Sequence, residues 1–311
     1  MDEAPSERAV EEILQLVTRA SDAAGHESLS EHKRIELATA KSRNDPVGGD
    51  GFIVGVLARR PDDAGLVGYG HLNKHAGAYA MEIAVDPGSR GGKAVTDALF
   101  DALAGRVADL GGGMTRLWVT KATEADDIRV FARGFHRERN LLQMRCPLPL
   151  PVRAEGLKPA VGIVTRPFVV GTDEDAWLTT NNRAFASHPE QGHWERQTLV
   201  DLESEPWFDP DGFLLLEEGG RIAGSCWTKV HSASSPPMGE IYVIGVDPDY
   251  HGRGWGRALT EAGLAWLAAK GLRVGMLYVD EGNQAATTMY RSMGFVTDHV
   301  DRAYLGVIGP H

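Results

Sequence analysis

Cysteine is scarce in this chain, and long hydrophobic runs are absent. The two cysteines, Cys146 and Cys226, lie 80 residues apart without Cys-x-x-Cys spacing, which argues against a disulfide framework and a zinc site. No segment approaches the roughly 18–20 consecutive apolar residues of a membrane span, and the acidic N-terminus does not resemble a signal peptide. We therefore expect a cytoplasmic protein without metal and without membrane attachment.

Positive charge is also in short supply. Lys and Arg number 32 against 43 Asp and Glu, a formal net charge of −11. A protein that coats nucleic acid needs a cationic face, so we expect no nucleic-acid partner. The composition, 42% hydrophobic and 24% charged, is that of a globular protein. The 311 residues suggest two domains, and we expect a monomer.

An internal repeat divides the sequence into two halves. Three landmarks recur in the same order, the first at a spacing of 161 residues and the others at 160. This self-similarity predicts two tandem copies of one domain. The matched pairs are Val85-Asp86-Pro87 with Val246-Asp247-Pro248, Leu117-Trp118-Val119 with Leu277-Tyr278-Val279, and Gly134-Phe135 with Gly294-Phe295.

Residue patterns predict an α+β fold for each copy, with a central mixed β-sheet flanked by helices. The proline-rich segment Cys146–Val152 suits neither a helix nor a central strand. We therefore place the domains at 1–150 and 163–311, with a linker at 151–162. In the second copy we expect helices at 173–186, 194–203, 256–270 and 283–293, and strands at 213–216, 221–229, 240–246, 273–279 and 302–307.

The chemically most informative motif is His251-Gly252-Arg253-Gly254-Trp255-Gly256, between a predicted buried strand and a predicted helix. A helix N-terminus presents unpaired N–H groups and partial positive charge, which suit a pyrophosphate. Glycines let the backbone approach the phosphate oxygens, and Arg253 and Arg257 add charge. The motif lacks the acidic partner of a Rossmann fingerprint and the Gly-Lys-Ser/Thr of a Walker loop. A glycine-rich helix entry without a ligand remains the alternative.

Residues 246–259 resemble the acetyl-CoA pyrophosphate loop of the GCN5-related N-acetyltransferase (GNAT) family, whose pattern is Gln/Arg-x-x-Gly-x-Gly/Ala. His251 departs from that pattern at its first position. Residues 278–286 and 289–295 are similar to the family's later motifs, which line the pantetheine arm and supply a tyrosine near the thioester sulfur. The resemblance implies two tandem GNAT-type domains and acetyl-CoA binding in the second. The cofactor residues that it implies are Ile244, Gly245, Val246, His251, Gly252, Arg253, Gly254, Trp255, Gly256, Arg257, Asn283, Gln284, Ala285, Ala286, Thr287 and Thr288.

The tandem layout resembles one branch of this family in particular, through residues 181–192, 207–212, 227–231 and 239–243. The resemblance implies acetylation of the cysteinyl amine of a cysteine–glucosamine–inositol conjugate, an amino-sugar thiol precursor. It also implies substrate contacts by Glu31, Glu190, Lys229, Glu240 and Tyr278. Two other readings stay open: transfer to another small amine or a peptide N-terminus, and a non-catalytic CoA-binding sensor.

Glu240 and Tyr290 are the expected catalytic pair. Glu240 begins the strand that leads to the loop, where it would take a proton from the amine directly or through water. Tyr290 would protonate or hydrogen-bond the departing sulfur. Backbone N–H groups of Ile244, Gly245 and Val246 would polarise the thioester carbonyl at an expected β-bulge. From the residues alone, the alternatives are a solvated strand-edge carboxylate for Glu240 and a core aromatic for Tyr290.

The first copy is expected to be degenerate and non-catalytic. Lys93 and Val95 align with Gly254 and Gly256, Val130 stands at the place of Tyr290, and Tyr79 is nearest to that of Glu240. Lys93 could still bind a phosphate by charge, so a second, non-catalytic acetyl-CoA is conceivable there. Its contacts would come from Ile83, Ala84, Val85, Gly91, Gly92 and Lys93.

Overall fold

The computed structural model divides the chain into two compact units. It describes residues 6–24, 27–30, 33–34, 37, 51–62, 64–75, 77–89, 91–150, 164–186, 194–232 and 234–311. Unit 1 contains residues 1–142, 280–282 and 299–311, and unit 2 contains 143–279 and 283–298. This division falls after residue 142 and assigns most of the last strand to unit 1, and the domain boundaries at 150 and 163 stay a prediction. The expected linker at 151–162 lies outside the described residues.

Unit 1 is a mixed sheet with helices on both faces. Its elements are α1 (Glu7–Ala24), β1 (Gly51–Arg59), β2 (Leu66–His75), β3 (Ala78–Val85), α2 (Gly92–Asp109), β4 (Gly113–Val119), α3 (Glu124–Phe131), the first part of β5 (His136–Pro147) and the end of β11 (Val296–Ile308). Strands β1, β2 and β3 are antiparallel neighbours, β4 runs parallel to β3, and β11 runs antiparallel to β4.

The cores of unit 1 explain its layers. The buried residues Ile13, Leu16, Val17 and Ala20 recur at helical spacing on α1 and pack against one face of the sheet. The other face carries a second cluster, in which α2 and α3 cover strands β2, β3, β4 and β11. That cluster contains Leu72, Tyr79, Met81, Phe100, Leu103, Val107, Leu117, Val130, Phe135 and Tyr304.

Unit 2 repeats this plan. Its elements are the end of β5, β6 (Thr165–Pro167), α4 (Glu174–Ala184), α5 (Arg196–Glu203), β7 (Phe213–Glu218), β8 (Arg221–His231), β9 (Met238–Val246), α6 (Trp255–Ala269), β10 (Val274–Asp280), α7 (Gln284–Ser292) and the start of β11. Strands β6 to β9 are antiparallel neighbours, and β10 runs parallel to β9. The helices and strands expected in the second copy are all present, with ends shifted by at most six residues, although the strand expected at 302–307 lies in unit 1.

The two faces of the unit 2 sheet are packed differently. On one face, Trp177 of α4 packs against Phe213 and Trp227, and its indole N–H donates to Ser225 Oγ at 2.8 Å. On the other face, α6 lies so close that a Cβ on Gly263 would meet Cys226 Sγ at 2.5 Å. Aromatic packing therefore holds one side of β8 and β9, and a closely seated helix holds the other.

Candidate active site

The glycine-rich loop forms the entry to α6, as the sequence predicts. Strand β9 ends at Val246, a 3-10 turn covers 248–250, and α6 begins at Trp255. Gly252 and Gly254 have φ values of 78° and 79°, a left-handed conformation that other residues rarely adopt. A Cβ on Gly252 or Gly256 would meet no atom within 4 Å. The backbone is therefore open to a ligand at the helix N-terminus, which fits a pyrophosphate.

The arginines of this loop are already paired. Arg253 Nη1 donates to both carboxylate oxygens of Glu218 at 2.8 and 3.0 Å, and its guanidinium lies over the stacked rings of Tyr250 and Trp255. Arg257 Nε donates to Glu261 at 3.0 Å. No acidic residue occupies the first turn of α6. The anion-binding character of the site therefore rests more on the helix N-terminus than on free guanidinium charge.

A buried carboxylate anchors the start of the loop. Asp247 accepts from Arg183 at 2.7 and 3.1 Å and from the Asp249 N–H at 3.0 Å. The hydrogen bonds from Arg183 hold the pKa of Asp247 below its usual value. His251 Nε2 lies 2.9 Å from the carbonyl oxygen of Val246. These contacts fix the path of the chain between β9 and α6.

Strands β9 and β10 pair over only a short length. The parallel register runs from Gly239 opposite Gly275 to Ile241 opposite Leu277, although both strands continue beyond it. The next residues of β9 keep their pairing with β8, where Ile244 faces Cys226 and Val246 faces Gly224. On the side of β10, the backbone of β9 over 244–246 therefore lies beyond the strand pairing. An extended part of a ligand could hydrogen-bond to this backbone edge.

The β-bulge lies at a different residue from the one expected. Trp227 pairs with Val243 and Thr228 with Ile241, so Tyr242 is the extra residue on β9. Gly245, where the sequence suggests the bulge, is regularly paired with Ser225. Its lack of a side chain serves packing instead, because a Cβ there would approach Ala184 and Phe185 at 3.2 Å.

Glu240 is buried beside a histidine. It is 6% exposed, and its Oε2 lies 2.7 Å from His231 Nε2. Lys229 lies directly opposite Glu240 in the β8–β9 register and is 5% exposed. Its Nζ lies 4.5 Å from the centre of the Trp207 ring and 5.3 Å from that of Tyr242. The expected base and an expected substrate contact therefore share one face of the sheet.

Tyr278 belongs to a polar chain on β10 and β5. Its hydroxyl accepts from Gln143 Nε2 at 2.8 Å, and Gln143 Oε1 accepts from Arg145 Nε at 2.8 Å. Arg145 in turn pairs with Asp298 at 3.2 Å. Because Gln143 is fully buried, these bonds fix the orientation of the Tyr278 ring.

Tyr290 is a buried residue of α7. It is 5% exposed, its ring lies 5.6 Å from that of Phe295, and burial raises its pKa above the usual value. Its hydroxyl makes no hydrogen bond within the part of the chain that the structure describes. The hydroxyl is therefore held protonated and remains available as a donor.

The other expected residues of α7 differ in accessibility. Asn283 is the N-cap and accepts from the Ala286 N–H at 3.1 Å. Thr287 is buried and donates to the Gln284 carbonyl, so its side chain does not face a ligand. Ala285 and Thr288 are exposed. The exposed residues of the first turn of α7 can contact a ligand, whereas Thr287 packs inside and stabilises that turn.

Two expected substrate contacts, Glu31 and Glu190, lie outside the described residues. His231, by contrast, has a clear place in the site although sequence reasoning gave it no role. The one signal in the sequence is that His231 follows Lys229 by two residues and so lies on the same face of its strand; the hairpin register then brings both onto the face of Glu240.

Unit 1 departs from unit 2 at the corresponding positions. Its β2–β3 register has no bulge, so Ala80, opposite Asn73 and Arg116, takes the place of Glu240. Tyr79, the sequence-based counterpart, lies one residue earlier in the core. Val130, opposite Tyr290 in the repeat, is a core residue.

The loop of unit 1 also aligns differently. Its helix α2 begins after Gly91, which has φ 80° and is the N-cap, as Gly254 is for α6. Lys93 therefore corresponds to Gly256, and Gly92 to Trp255. The alignment of Lys93 with Gly254 and of Val95 with Gly256 was wrong, because the loop of unit 1 is two residues shorter.

Comparison with known proteins agrees with this architecture. The family model described as "Acetyltransferase (GNAT) family" matches residues 176–295. A tandem GNAT protein from the clavulanic acid biosynthesis pathway has a TM-score of 0.68 at 15% identity, covering 99% of this chain and 97% of that one. A GCN5-related N-acetyltransferase from Sphaerobacter thermophilus has a TM-score of 0.63 at 22% identity, covering 100% and 96%. The expected fold class, two tandem α+β domains of GNAT type, is confirmed.

Relatives of known name cover almost the whole chain. The mycothiol acetyltransferase of Acidimicrobium ferrooxidans is 40% identical over 96% of this chain and 94% of its own length. That of Geodermatophilus obscurus is 41% identical over 93% and 91%. The chain therefore belongs to the mycothiol acetyltransferases, a tandem-domain group within the GNAT family.

Proposed function

We propose that this enzyme acetylates the cysteinyl amine of desacetylmycothiol, the cysteine–glucosamine–inositol conjugate, to give mycothiol and CoA. The observation that carries the proposal is the 40% identity to mycothiol acetyltransferases across almost the whole length of both chains. Unit 2 supports it with an open helix N-terminus, a β9 edge freed from β10, a buried carboxylate and a buried tyrosine.

Acetyl-CoA supplies the acetyl group as a thioester. The N–H groups at the start of α6 would hold its pyrophosphate, and the free edge of β9 over 244–246 would hold its extended arm. Both cysteines are buried, which raises the pKa of each thiol to about 12. Neither is a thiolate at neutral pH, which favours direct attack of the amine on the thioester over transfer through a cysteine.

Glu240 would act as the base. An α-amine with a pKa of roughly 7.7–8.0 is mostly protonated at pH 7, and deprotonating it costs only about 1 kcal/mol. A carboxylate within reach of the amine, directly or through one water, can accept that proton. On the opposite strand, buried Lys229 adds positive charge near the same spot, which disfavours the ammonium form of a bound amine.

Tyr290 would serve the leaving thiolate. Burial keeps its hydroxyl protonated, so it can donate a hydrogen bond or a proton to the departing sulfur. Lys229 and Tyr278, with Glu190 and Glu31, would contact the sugar, inositol and cysteine parts of the acceptor. A polyhydroxyl ligand requires several donors and acceptors of this kind.

Unit 1 could hold a second, non-catalytic acetyl-CoA. Gly91 caps α2 in the same left-handed conformation as Gly254, and the β3–β4 register ends at Glu82 and Trp118, before 83–85. With Ala80 and Val130 in place of the acid–base pair, transfer there is not expected. A native mass spectrum of the purified protein with acetyl-CoA would count one or two bound molecules.

The described residues contain no helix long and apolar enough to cross a membrane. We propose a cytoplasmic location, supported by two cysteines that are both free and buried. A monomeric state stays a prediction, which size-exclusion chromatography with light scattering would test.

The test of function is a choice between acceptors. Purified protein with acetyl-CoA is given the cysteine–glucosamine–inositol amine, its glucosamine–inositol precursor, an aminoglycoside or a short peptide, and CoA release is followed with mass spectrometry of the product. We expect an acetyl group on the cysteinyl amine and much slower release with the others. Preference for another amine, or no amine-dependent release at all, would refute the proposal.

A further inference from the structure

The side chain nearest to the base is one that the reaction scheme above does not use. His231 ends β8, two residues beyond Lys229, and lies diagonally across the hairpin from Glu240. Its Nε2 is 2.7 Å from Glu240 Oε2, and the two side chains are 15% and 8% exposed. A short hydrogen bond between two largely buried side chains can fix their orientation.

Hydrogen-bond chemistry fixes the direction of this contact. An ionised carboxylate has no proton to give, so His231 Nε2 must be the donor whenever Glu240 is ready to act as a base. The bond occupies Oε2. The other oxygen, Oε1, makes no hydrogen bond within the described part of the chain, and it is the atom left for an amine or a water.

The charge of Lys229 gives a reason why the hydrogen bond between His231 and Glu240 matters. Lys229 lies opposite Glu240, and its ammonium nitrogen lies 4.5 and 5.3 Å from the centres of the Trp207 and Tyr242 rings. A carboxylate released from His231 could turn toward that charge and lose its orientation for proton transfer. We propose that His231 is a positioning residue for Glu240, which it holds in the rotamer that presents Oε1 to the acceptor amine. This inference rests on the proposed function.

The test separates the donor from the ring. His231→Leu removes the donor, and we expect kcat to fall about ten- to hundredfold with little change in KM, the cost typical of a misplaced catalytic group. His231→Gln keeps an N–H donor at the position of Nε2 and should recover most of kcat. The matched control is His75→Leu, since His75 is exposed and ends β2 at the same register position in unit 1.

A second pair of measurements guards against misfolding of the leucine variant. In a Glu240→Gln background there is no base to position, so His231→Leu should cost almost nothing further. In the free wild-type protein, long-range proton–nitrogen NMR should show the proton of neutral His231 on Nε2. This readout needs neither substrate nor turnover.

Wild-type turnover with the cysteinyl amine tests the proposed function, and the ratios between variants test the role of His231. Full kcat in His231→Leu, equal losses in His231→Gln and His231→Leu, an undiminished cost in the Glu240→Gln background, or a proton on Nδ1 would each overturn the proposal.

Discussion

The two units share one plan but differ where chemistry is expected. In unit 2 a bulge at Tyr242 interrupts the β8–β9 register, and β9 separates from β10 after Ile241. In unit 1 the β2–β3 pairing runs without a bulge, and the parallel pairing reaches Glu82. One inserted residue thus changes which side chains and which backbone edge are presented, while the core packing that defines the fold persists in both.

The buried polar groups also differ in what they do. In unit 1, Glu82 accepts from the Ser30 N–H and Oγ at 2.8 and 2.9 Å and lies 3.8 Å from Lys33. Both oxygens of that carboxylate therefore accept hydrogen bonds from residues of unit 1. In unit 2, Glu240 has only His231 as a hydrogen-bond partner among the described residues. The proposed base therefore differs from Glu82 in having one carboxylate oxygen without a hydrogen bond among the described residues.

The largest effect is expected at Glu240. Glu240→Gln keeps shape and polarity but cannot accept the proton, so kcat should fall by about 10²–10³-fold. The control is Glu138→Gln in unit 1, a strand carboxylate that pairs with Arg116. Steady-state CoA release measures both. A Glu240→Gln variant as fast as its control would remove the functional difference between the units.

Tyr290 should come next. Tyr290→Phe removes a hydroxyl that has no hydrogen bond among the described residues, so the fold should keep its stability while kcat falls about tenfold or more. Because burial raises the pKa of Tyr290 above its ordinary value, the hydroxyl stays protonated through neutral and mildly alkaline pH. The basic limb of the rate profile should therefore lie at the same pH in the variant, with a lower plateau. Loss of that limb would contradict the account.

The cofactor loop offers a matched pair of glycines. Gly256 and Gly105 are both helical, and a Cβ on either would meet nothing within 4 Å. Replacing glycine by valine changes helix propensity similarly at both positions. Gly256→Val should raise the Kd for acetyl-CoA about tenfold, or 1.4 kcal/mol, by blocking close approach to the backbone. Gly105→Val should leave it unchanged, and calorimetric titration distinguishes them. Equal affinities would show that the loop of unit 2 does not hold the cofactor.

The smallest effect concerns the Asp247 anchor. Arg183→Met should lower the free energy of unfolding slightly at pH 7, because it leaves a buried carboxylate without its main partner while Arg183 itself is partly in solvent. The weaker Arg19–Asp86 contact of unit 1, at 3.4 Å, provides the control variant Arg19→Met. Urea unfolding followed by tryptophan fluorescence reports mainly on unit 2, which contains every tryptophan except Trp118.

The pH dependence of that effect has a definite sign. Arg183 lowers the pKa of Asp247, so the stability from this pair is present above the ordinary carboxyl value of 3.8 and is lost as the pH falls below it. The gap between wild type and Arg183→Met should therefore shrink as the pH is lowered through 4. A gap that stays constant would assign the loss to packing of the arginine stem.

Local patterns made much of the fold predictable from the sequence. The repeat, the long helices and the glycine entry to α6 follow from periodicity and from glycines whose φ values only that residue adopts readily. The bulge left no mark in the repeat spacings, because all three repeat landmarks lie after it in the chain. Tyr242 is identified only by its neighbours on β8.

Non-local pairing accounts for what was missed. The last strand joins β4 of unit 1, with Tyr304 opposite Leu117, although its sequence follows the second copy. The contact of His231 with Glu240 depends on a hairpin register across eight intervening residues. The alignment of the two loops was wrong because the loop before Gly91 is two residues shorter, and the glycine pattern does not show where the residues are missing.

The central claim is that acetyl transfer takes place in unit 2. A crystal structure with acetyl-CoA bound tests it most directly. The account predicts the pyrophosphate at the N-terminus of α6, the arm along the free edge of β9 over 244–246, and the thioester sulfur within hydrogen-bond reach of Tyr290. An acetyl-CoA bound only in unit 1, or one in unit 2 whose sulfur is remote from Tyr290 and Glu240, would contradict it.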